Sequence, residues 1–343
     1  MNRWTLRPAP YLRALFLLAF GCSVLLAGEK PATRPDGKTG DGEREDEDFA
    51  SQFLKKDVPP RSEAEMKAFL TKRLEDLKAI GGTWRLKETK HFCCFSNVPE
   101  AKHAVLCQWN EDLYDRLCQV LRHKEGDKLW NNKMPIYYFE AFAQFQKFTV
   151  EIDRSPGSAM SGGYFSANGR EVHICIPFMS ERFRTDVKSQ DRMARATLHH
   201  EGTHAFLQLS GESVPLNRWL HEGLAQFVEF WYDPQNNPAR NQRVGFLQQC
   251  ILRNSVPSWE SMRNRPMGGM DVEGYAFAWA KLEFLYRSFS DNQKLPQMIR
   301  LVKAGKSEDE AMASAFGFPV DKLEEGYKQW VKVQGKRGFN FGQ

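Results

Sequence analysis

The sequence predicts an α+β fold in which a small mixed sheet precedes a mainly helical C-terminal part. Up to about residue 176, short apolar segments of strand length alternate with longer segments of helical apolar spacing. Beyond Tyr275 the helical spacing continues almost without interruption. Hydrophobic residues make up 41% of the 343-residue chain, which is enough for a sizeable core in one large or two modest domains.

An apolar run near the N-terminus is typical of an export signal. It extends from Ala14 to Ala27, three arginines precede it, and no acidic residue occurs before Glu29. We therefore predict a signal peptide over residues 1–28 and an exported protein, periplasmic or extracellular. An uncleaved membrane anchor and a lipidated Cys22 are the alternatives, and they are the only membrane association that we expect.

The segment after the signal is predicted to be a flexible linker over residues 29–60, because it is rich in charge, proline and glycine. The whole chain has a formal net charge of +5. Residues 1–28 carry three arginines and no acid, so the charge without them is about +2. So small a charge gives no electrostatic reason to expect a nucleic-acid partner.

The next elements are predicted to alternate between helix and strand. Apolar spacing and turn residues predict a helix over 62–80, a strand over 84–97, a helix over 99–121 and a strand over 136–139. Two short strands, 161–165 and 171–176, flank an Asn168-Gly169 turn and are predicted to pair. The later helices are predicted over 275–289, 295–304, 307–316 and 320–333.

The cysteine pattern predicts no particular disulfide. Cys107 and Cys118 are about 16 Å apart along one predicted helix, which is too far for a bond. Cys93 and Cys94 are neighbours on a predicted strand and should point to opposite faces. Disulfides are compatible with an exported chain, and buried thiols are the alternative. The spacing of the cysteines predicts no metal cluster.

The segment H-E-G-T-H, residues 200–204, is an H-E-x-x-H motif inside a predicted helix over 192–209. Residues four apart lie on one face of a helix, so the imidazoles of His200 and His204 can bind one metal ion. Glu201 is offset from that face, where its carboxylate can take a proton from a water molecule on the metal. The motif is typical of zinc sites that hydrolyse their substrates.

A second predicted helix, 216–231, supplies the third ligand. It contains the sequence W-L-H-E-G-L-A, and a short loop joins it to the first helix. Helices joined in this way can pack side by side, which brings Glu222 to the metal from another direction. We therefore predict one Zn²⁺ ion held by His200, His204 and Glu222, with its fourth position open.

H-E-x-x-H followed by W-L-x-E-G-x-A resembles the gluzincin zinc peptidases, the superfamily of thermolysin and of the aminopeptidases related to it. The resemblance implies that His200, His204 and Glu222 bind zinc. It also implies that Glu201 is the general base, and that Glu229, two helical turns after Glu222, supports the site from outside the ligand shell. The expected function is hydrolysis of a peptide or protein substrate.

Residues from about Thr89 to Val333 are also similar to an uncharacterised peptidase-like domain of secreted bacterial proteins within this superfamily. We therefore expect one zinc metallopeptidase domain over 61–335 and a short tail over 336–343. His221 departs from the family pattern, because aminopeptidases usually have Asn or Thr at that position. The alternative function is a catalytically inactive peptidase-like module that retains zinc and binds a peptide or the cell envelope.

Two further segments match features of the gluzincins. In the aminopeptidase-like members, a helix similar to residues 274–280 carries a tyrosine that stabilises the oxyanion, which implies this role for Tyr275. A half-buried tyrosine at a helix start is the alternative. An edge strand in the family holds the substrate backbone, and Gly162, Gly163 and Tyr164 match that strand. An ordinary hairpin is the alternative there.

The remaining histidines are not expected to bind the metal. His199 and His221 point off the ligand face, so a surface position or a supporting role beside the site is expected for both. The others have no metal-ligand spacing and are expected to be exposed or packed: His91, His103, His123 and His173.

Overall fold

The computed structural model describes residues 61–122, 129–167, 171–178, 186–210, 216–263, 270–291 and 293–339, and its α+β fold confirms the predicted class. Several predictions lie outside these residues: the signal peptide over 1–28 with Cys22, the linker over 29–60, the Asn168-Gly169 turn, His123 and the last four residues of the tail. Within the described ranges, no helix has both the length and the apolar content needed to cross a membrane.

The five strands that the structure describes form one mixed sheet. They are β1 (Arg85–Glu88), β2 (Phe92–Ser96), β3 (Met134–Phe139), β4 (Tyr164–Ala167) and β5 (Val172–Pro177). Their order is β1-β2-β3-β5-β4; the three central strands are parallel, and each edge strand pairs antiparallel with its neighbour. The predicted pairing of the two short strands is confirmed, and β4 is the edge strand.

The prediction of a single strand over 84–97 is wrong. The chain reverses between β1 and β2, where Thr89 N–H donates to the Phe92 carbonyl at 2.9 Å and the Thr89 hydroxyl accepts from Phe92 N–H at 3.2 Å. Only three residues separate the two strands, so the apolar pattern continues across the turn and does not show the break.

Three helices are described before the metal-binding motifs. They are α1 (Glu63–Ala79), α2 (Glu100–Leu121) and α3 (Phe142–Lys147), and α1 and α2 confirm the predicted helices. Ser62 caps α1, because its hydroxyl accepts from Glu65 N–H while the Glu65 carboxylate accepts from Ser62 N–H. A turn of π-helix (Phe148–Ile152) and a turn of 3₁₀-helix (Pro156–Met160) then lead to β4.

The remaining described helices form the C-terminal part. They are α4 (Val187–Leu209), α5 (Arg218–Tyr232), α6 (Pro238–Leu252), α7 (Trp259–Arg263), α8 (Val272–Arg287), α9 (Lys294–Lys303), α10 (Glu308–Phe316) and α11 (Val320–Lys336). All were predicted except α6 and α7. The first of them begins five residues earlier than predicted, because the Asp186 side chain caps it by accepting from Ser189 N–H.

The sheet separates two cores. The smaller core lies on the side of α1 and α3, and the larger one lies on the side of α2, α4, α5 and the later helices. Cys93 packs into the smaller core and Cys94 into the larger, which confirms that they point to opposite faces. Both motif helices therefore belong to the larger core.

Candidate metal centre

Two neighbouring helices bring His200, His204 and Glu222 together. Helices α4 and α5 pack against each other, and all three side chains are buried. The Nε2 atoms of both histidines lie 3.6 Å from Glu222 Oε2. The three donor atoms lie within 4.8 Å of one another. The structure thus assembles the predicted ligand set around one point.

A glycine inside each motif allows this close packing. A Cβ at Gly202 would lie 2.3 Å from Leu113 Cδ2 of α2, and one at Gly223 would lie 2.8 Å from the Ala278 carbonyl oxygen of α8. Real side chains cannot approach so closely without displacing their neighbours. The glycine that follows the glutamate in each H-E-G sequence therefore sets how deeply the ligand-bearing helices pack.

The donor set fits zinc. Zinc binds imidazole nitrogen and carboxylate oxygen at about 2.0–2.2 Å, so two such donors at a tetrahedral angle lie about 3.4 Å apart. The observed separations of 3.6 Å differ from this value by a few tenths of an ångström. Within the described part of the chain, His204 Nε2 is buried with no hydrogen-bond partner, and coordination to a cation would satisfy its lone pair.

The protonation states of the site match those of metal ligands. Burial lowers the pKa of His204 well below its usual value. Burial alone would raise the pKa of Glu222, but the nearby His204 and His200 outweigh it, and the pKa of Glu222 is lowered. At neutral pH His204 is therefore a neutral imidazole and Glu222 a carboxylate anion, the forms that bind zinc.

Both ligand histidines have a partner at the other ring nitrogen. His200 Nδ1 lies 3.0 Å from Glu229 Oε2, and Asn237 Nδ2 donates to Glu229 Oε1 at 3.4 Å. His204 Nδ1 lies 2.7 Å from His221 Nδ1, and the two rings are stacked with their centroids 4.5 Å apart. Such partners fix ring orientation and the tautomer in which Nε2 can bind a metal.

His221 lies beside His204 inside the fold, which is one of the two positions expected for it. The other expectation, a surface position, is wrong. The side chain is buried, and burial lowers its pKa to about 3. A neutral His221 can accept a hydrogen bond from His204 Nδ1–H. The sequence signal was the departure from the aminopeptidase pattern beside Glu222. His199 is also buried, with its ring edge-on to Tyr232.

Glu201 faces the edge of the sheet. Its Oε2 accepts a hydrogen bond from Phe165 N–H of β4 at 2.9 Å. Gly163, with φ of +149°, allows this approach, because a Cβ there would lie 2.4 Å from Thr197 Cγ2 and 2.9 Å from the Cys175 carbonyl oxygen. The predicted edge strand therefore lies directly against the helix that carries the H-E-x-x-H motif.

A cavity of about 370 Å³ lies beside the ligand set. This volume is within the range of ligand-binding clefts. Residues just before the edge strand and residues from α4, α5 and α6 line it, among them Gly162, Gly163, His200, Glu201, Glu229 and Arg243. One ligand histidine and the predicted general base therefore border the same space.

The two predicted site tyrosines are not among the described residues that line this cavity. The Tyr164 side chain belongs to the smaller core, on the opposite face of the sheet, and its hydroxyl donates to Asp153 at 2.9 Å. Tyr275 is fully buried near the start of α8, with the Arg243 guanidinium 5.4 Å from its ring centroid. Because Arg243 lines the cavity, Tyr275 is one side chain away from it.

The other described histidines are packed within the fold, which is one of the two positions expected for them. His91 Nδ1 lies 2.6 Å from Glu111 Oε2. His173 is buried with its Nε2 3.3 Å from Asp153 Oδ1, and His103 Nδ1 lies 2.6 Å from Ser96 Oγ. The six described cysteines form no disulfide with one another.

Comparison with family models finds none that matches the chain, and a search of curated proteins finds no match either.

Proposed function

We propose that this protein is an exported zinc metallopeptidase of the gluzincin type that hydrolyses peptide bonds. The observation that carries the proposal is the convergence of His200, His204 and Glu222 in a buried set, with Glu201 beside them at a cavity. Three protein ligands leave one coordination position for water or substrate, as in catalytic zinc sites, whereas structural zinc has four protein ligands.

Glu201 is the general base in this proposal. Zinc, when bound, supplies Lewis acidity that polarises the scissile carbonyl and makes an attacking water more acidic. Glu201 takes the proton from that water and delivers it to the leaving amine. The hydrogen bond from Phe165 N–H holds the carboxylate in one orientation, so the proton is received at a fixed point.

The edge strand offers a binding surface for the substrate backbone. An extended peptide can add to β4, and Gly162 and Gly163, which directly precede that strand, line the cavity and present no side chains. The Arg243 guanidinium also lines the cavity, and it lies 5.4 Å from the centroid of the Tyr275 ring. The family resemblance assigns the Tyr275 phenol the hydrogen bond to the developing oxyanion; among the described residues the phenol is buried behind the cavity lining, and Arg243 is its neighbour in that lining.

The proposal is tested by separating metal binding from turnover. We expect the purified mature chain to hold a zinc equivalent that depends on Glu222 and to cleave a mixed peptide library in a chelator-sensitive manner. Glu201→Gln should keep this zinc and lose cleavage, whereas Glu222→Ala should lose both. Glu260→Gln, an exposed change on α7, is the matched control and should leave both unchanged.

Two outcomes contradict the proposal in different ways. Full cleavage by Glu201→Gln would show that another group is the general base. Zinc without any cleavage in the wild type would support the alternative of an inactive peptide- or envelope-binding module. A wild-type chain that holds no Glu222-dependent zinc would exclude both functions.

Export is a separate part of the proposal, supported by the N-terminal sequence alone. We expect the full chain, expressed in a bacterial host and fractionated, to leave the cytoplasm with a new N-terminus after Gly28. Retention of residues 1–28 on the protein, or a lipid on Cys22, would show that the chain is anchored instead.

A further inference from the structure

A second group of metal-binding side chains lies between β2 and α2. Cys94 projects from β2 into the larger core, and His103 and Cys107 are four residues apart on one face of α2. Their donor atoms lie within 4.8 Å of one another, and all three side chains are buried. Cysteine spacing did not predict this group, because one member is a histidine and the fold, not the local sequence, brings in Cys94.

The separation of the donors suits a small metal ion. Cys107 Sγ lies 3.9 Å from His103 Nε2. Zinc binds thiolate sulfur at about 2.3 Å and imidazole nitrogen at about 2.0–2.1 Å, so a tetrahedral angle places these atoms about 3.6 Å apart. A shift of a few tenths of an ångström would bring the observed pair to that separation.

Neighbouring polar groups orient the donors. Ser96 Oγ lies 2.6 Å from His103 Nδ1, which leaves the Nε2 side of the ring facing Cys107. The side-chain amide of Asn110 lies near the Cys94 sulfur, and its buried Nδ2 has no hydrogen-bond partner among the described residues. The Tyr138 hydroxyl donates to Asn110 Oδ1 at 2.5 Å and holds that amide in place. Outer hydrogen bonds of this kind are typical of built metal sites.

The two thiols differ in acidity. The pKa of Cys107 is lowered, because Cys94 donates a hydrogen bond to its sulfur and His103 is adjacent. The pKa of Cys94 is raised, chiefly by burial and by the same contact. The two sulfurs are thus in hydrogen-bond contact with each other, and their donor atoms and that of His103 lie close enough for one ion to contact all three.

We propose that Cys94, His103 and Cys107 bind a soft metal ion, Zn²⁺ or Cu⁺, at a site separate from the His200 centre. Two sulfur donors and one imidazole select thiophilic ions over the hard, oxygen-binding ions such as Mg²⁺ and Ca²⁺. Two thiolates balance the charge of Zn²⁺, so the buried site would carry no net charge. Because the ligands join a sheet strand to α2, the bound ion stabilises the folded chain.

Cobalt distinguishes this site from the first one. Thiolate-bound Co²⁺ has intense near-ultraviolet charge-transfer absorption, and the set of His200, His204 and Glu222 contains no sulfur. We expect this absorption when the reduced, metal-free full chain is loaded with Co²⁺, and we expect Glu222→Ala to retain it. Separate titrations with Zn²⁺ and with Cu⁺ should displace the cobalt and abolish the absorption, and the tighter competitor identifies the preferred ion.

Variants assign the absorption to these residues. Cys107→Ser should lose it, and Cys118→Ser, which changes another cysteine on α2, is the matched control and should keep it. If Cys107→Ser fails to fold by circular dichroism, the wild-type spectrum and its loss on zinc or copper addition still decide the question. The proposal is overturned by a folded, reduced wild type without thiolate-cobalt absorption, by absorption that persists in folded Cys107→Ser, or by a Cys94–Cys107 disulfide in protein purified without reductant.

Discussion

The Nδ1 atoms of the two histidines predicted to bind zinc have different partners. His200 faces the carboxylate of Glu229, whereas His204 faces the imidazole of His221. A carboxylate makes the imidazole that it contacts a more basic ligand, while a neutral imidazole mainly fixes tautomer and orientation. We therefore expect the two histidines to bind zinc with different strength. Substitutions of Glu229 and of His221 should accordingly weaken zinc binding by different amounts.

Glu229→Gln is expected to weaken zinc binding at the Glu222-dependent site by about 10–100-fold, because His200 loses its anionic partner. Competition with a chromogenic chelator measures the affinity. Asp233→Asn is the matched control: Asp233 lines the same cavity but contacts Asn236 rather than a ligand. An equal loss in both variants would show that the charge of the cavity matters rather than the contact with His200.

His221→Phe is expected to lower zinc affinity by about 10-fold or more, because it keeps a ring against His204 but removes the hydrogen-bond acceptor. His221→Asn retains an acceptor and should lose less. The same chelator competition compares them. If His221→Phe binds zinc as tightly as the wild type, the 2.7 Å contact does not hold the His204 tautomer.

At the scale of elements, the helices and their buried faces could be predicted from the sequence. The register of the strands and the positions of the strands relative to the helices could not. The faces of α4 and α5 follow from local spacing, so His200, His204 and Glu222 could be identified from sequence. The orientation of Tyr164 could not, because a shift of one residue in the register of β4 exchanges its two faces. Cys94 joins His103 only through the position of β2 beneath α2, which no local pattern encodes.

Gly223 and Gly245 give a matched pair of helix glycines. Gly223→Ala is expected to destabilise the fold by about 1–3 kcal/mol, because its Cβ would lie 2.8 Å from the Ala278 carbonyl oxygen. Gly245→Ala, in α6, has no atom within 4 Å of the new Cβ and should stabilise by about 0.5–1 kcal/mol. Urea unfolding measures both, and equal effects would contradict the close α5–α8 packing.

For the whole molecule, buried neutral histidines link stability to pH. Burial lowers the pKa of His199 and of His221 to about 3 in the folded chain. In the unfolded chain a histidine takes up a proton near pH 6.5. Between these pH values the unfolded state binds more protons, so stability is greatest above about pH 6.5 and falls as the pH decreases toward 3.

We therefore expect the metal-free chain to lose about 1 kcal/mol of stability for each such histidine between pH 7.5 and 5.5. His199→Gln should reduce this loss of stability by about 1 kcal/mol, the contribution of one histidine. Urea unfolding with chelator present, at both pH values, gives the difference for each protein. Identical pH dependence in the wild type and in His199→Gln would show that His199 is not buried in its neutral form.

The ligands of each metal group are close along the chain: residues 200–222 contain one set and residues 94–107 the other. Closing such short loops costs little chain entropy, and local contacts of this kind form early in folding. The sheet, by contrast, pairs β3 with β5 across more than thirty residues. A metal ion can thus bind before the sheet is complete and act as a folding nucleus. Zinc is expected to accelerate refolding in stopped-flow experiments, as well as to slow unfolding.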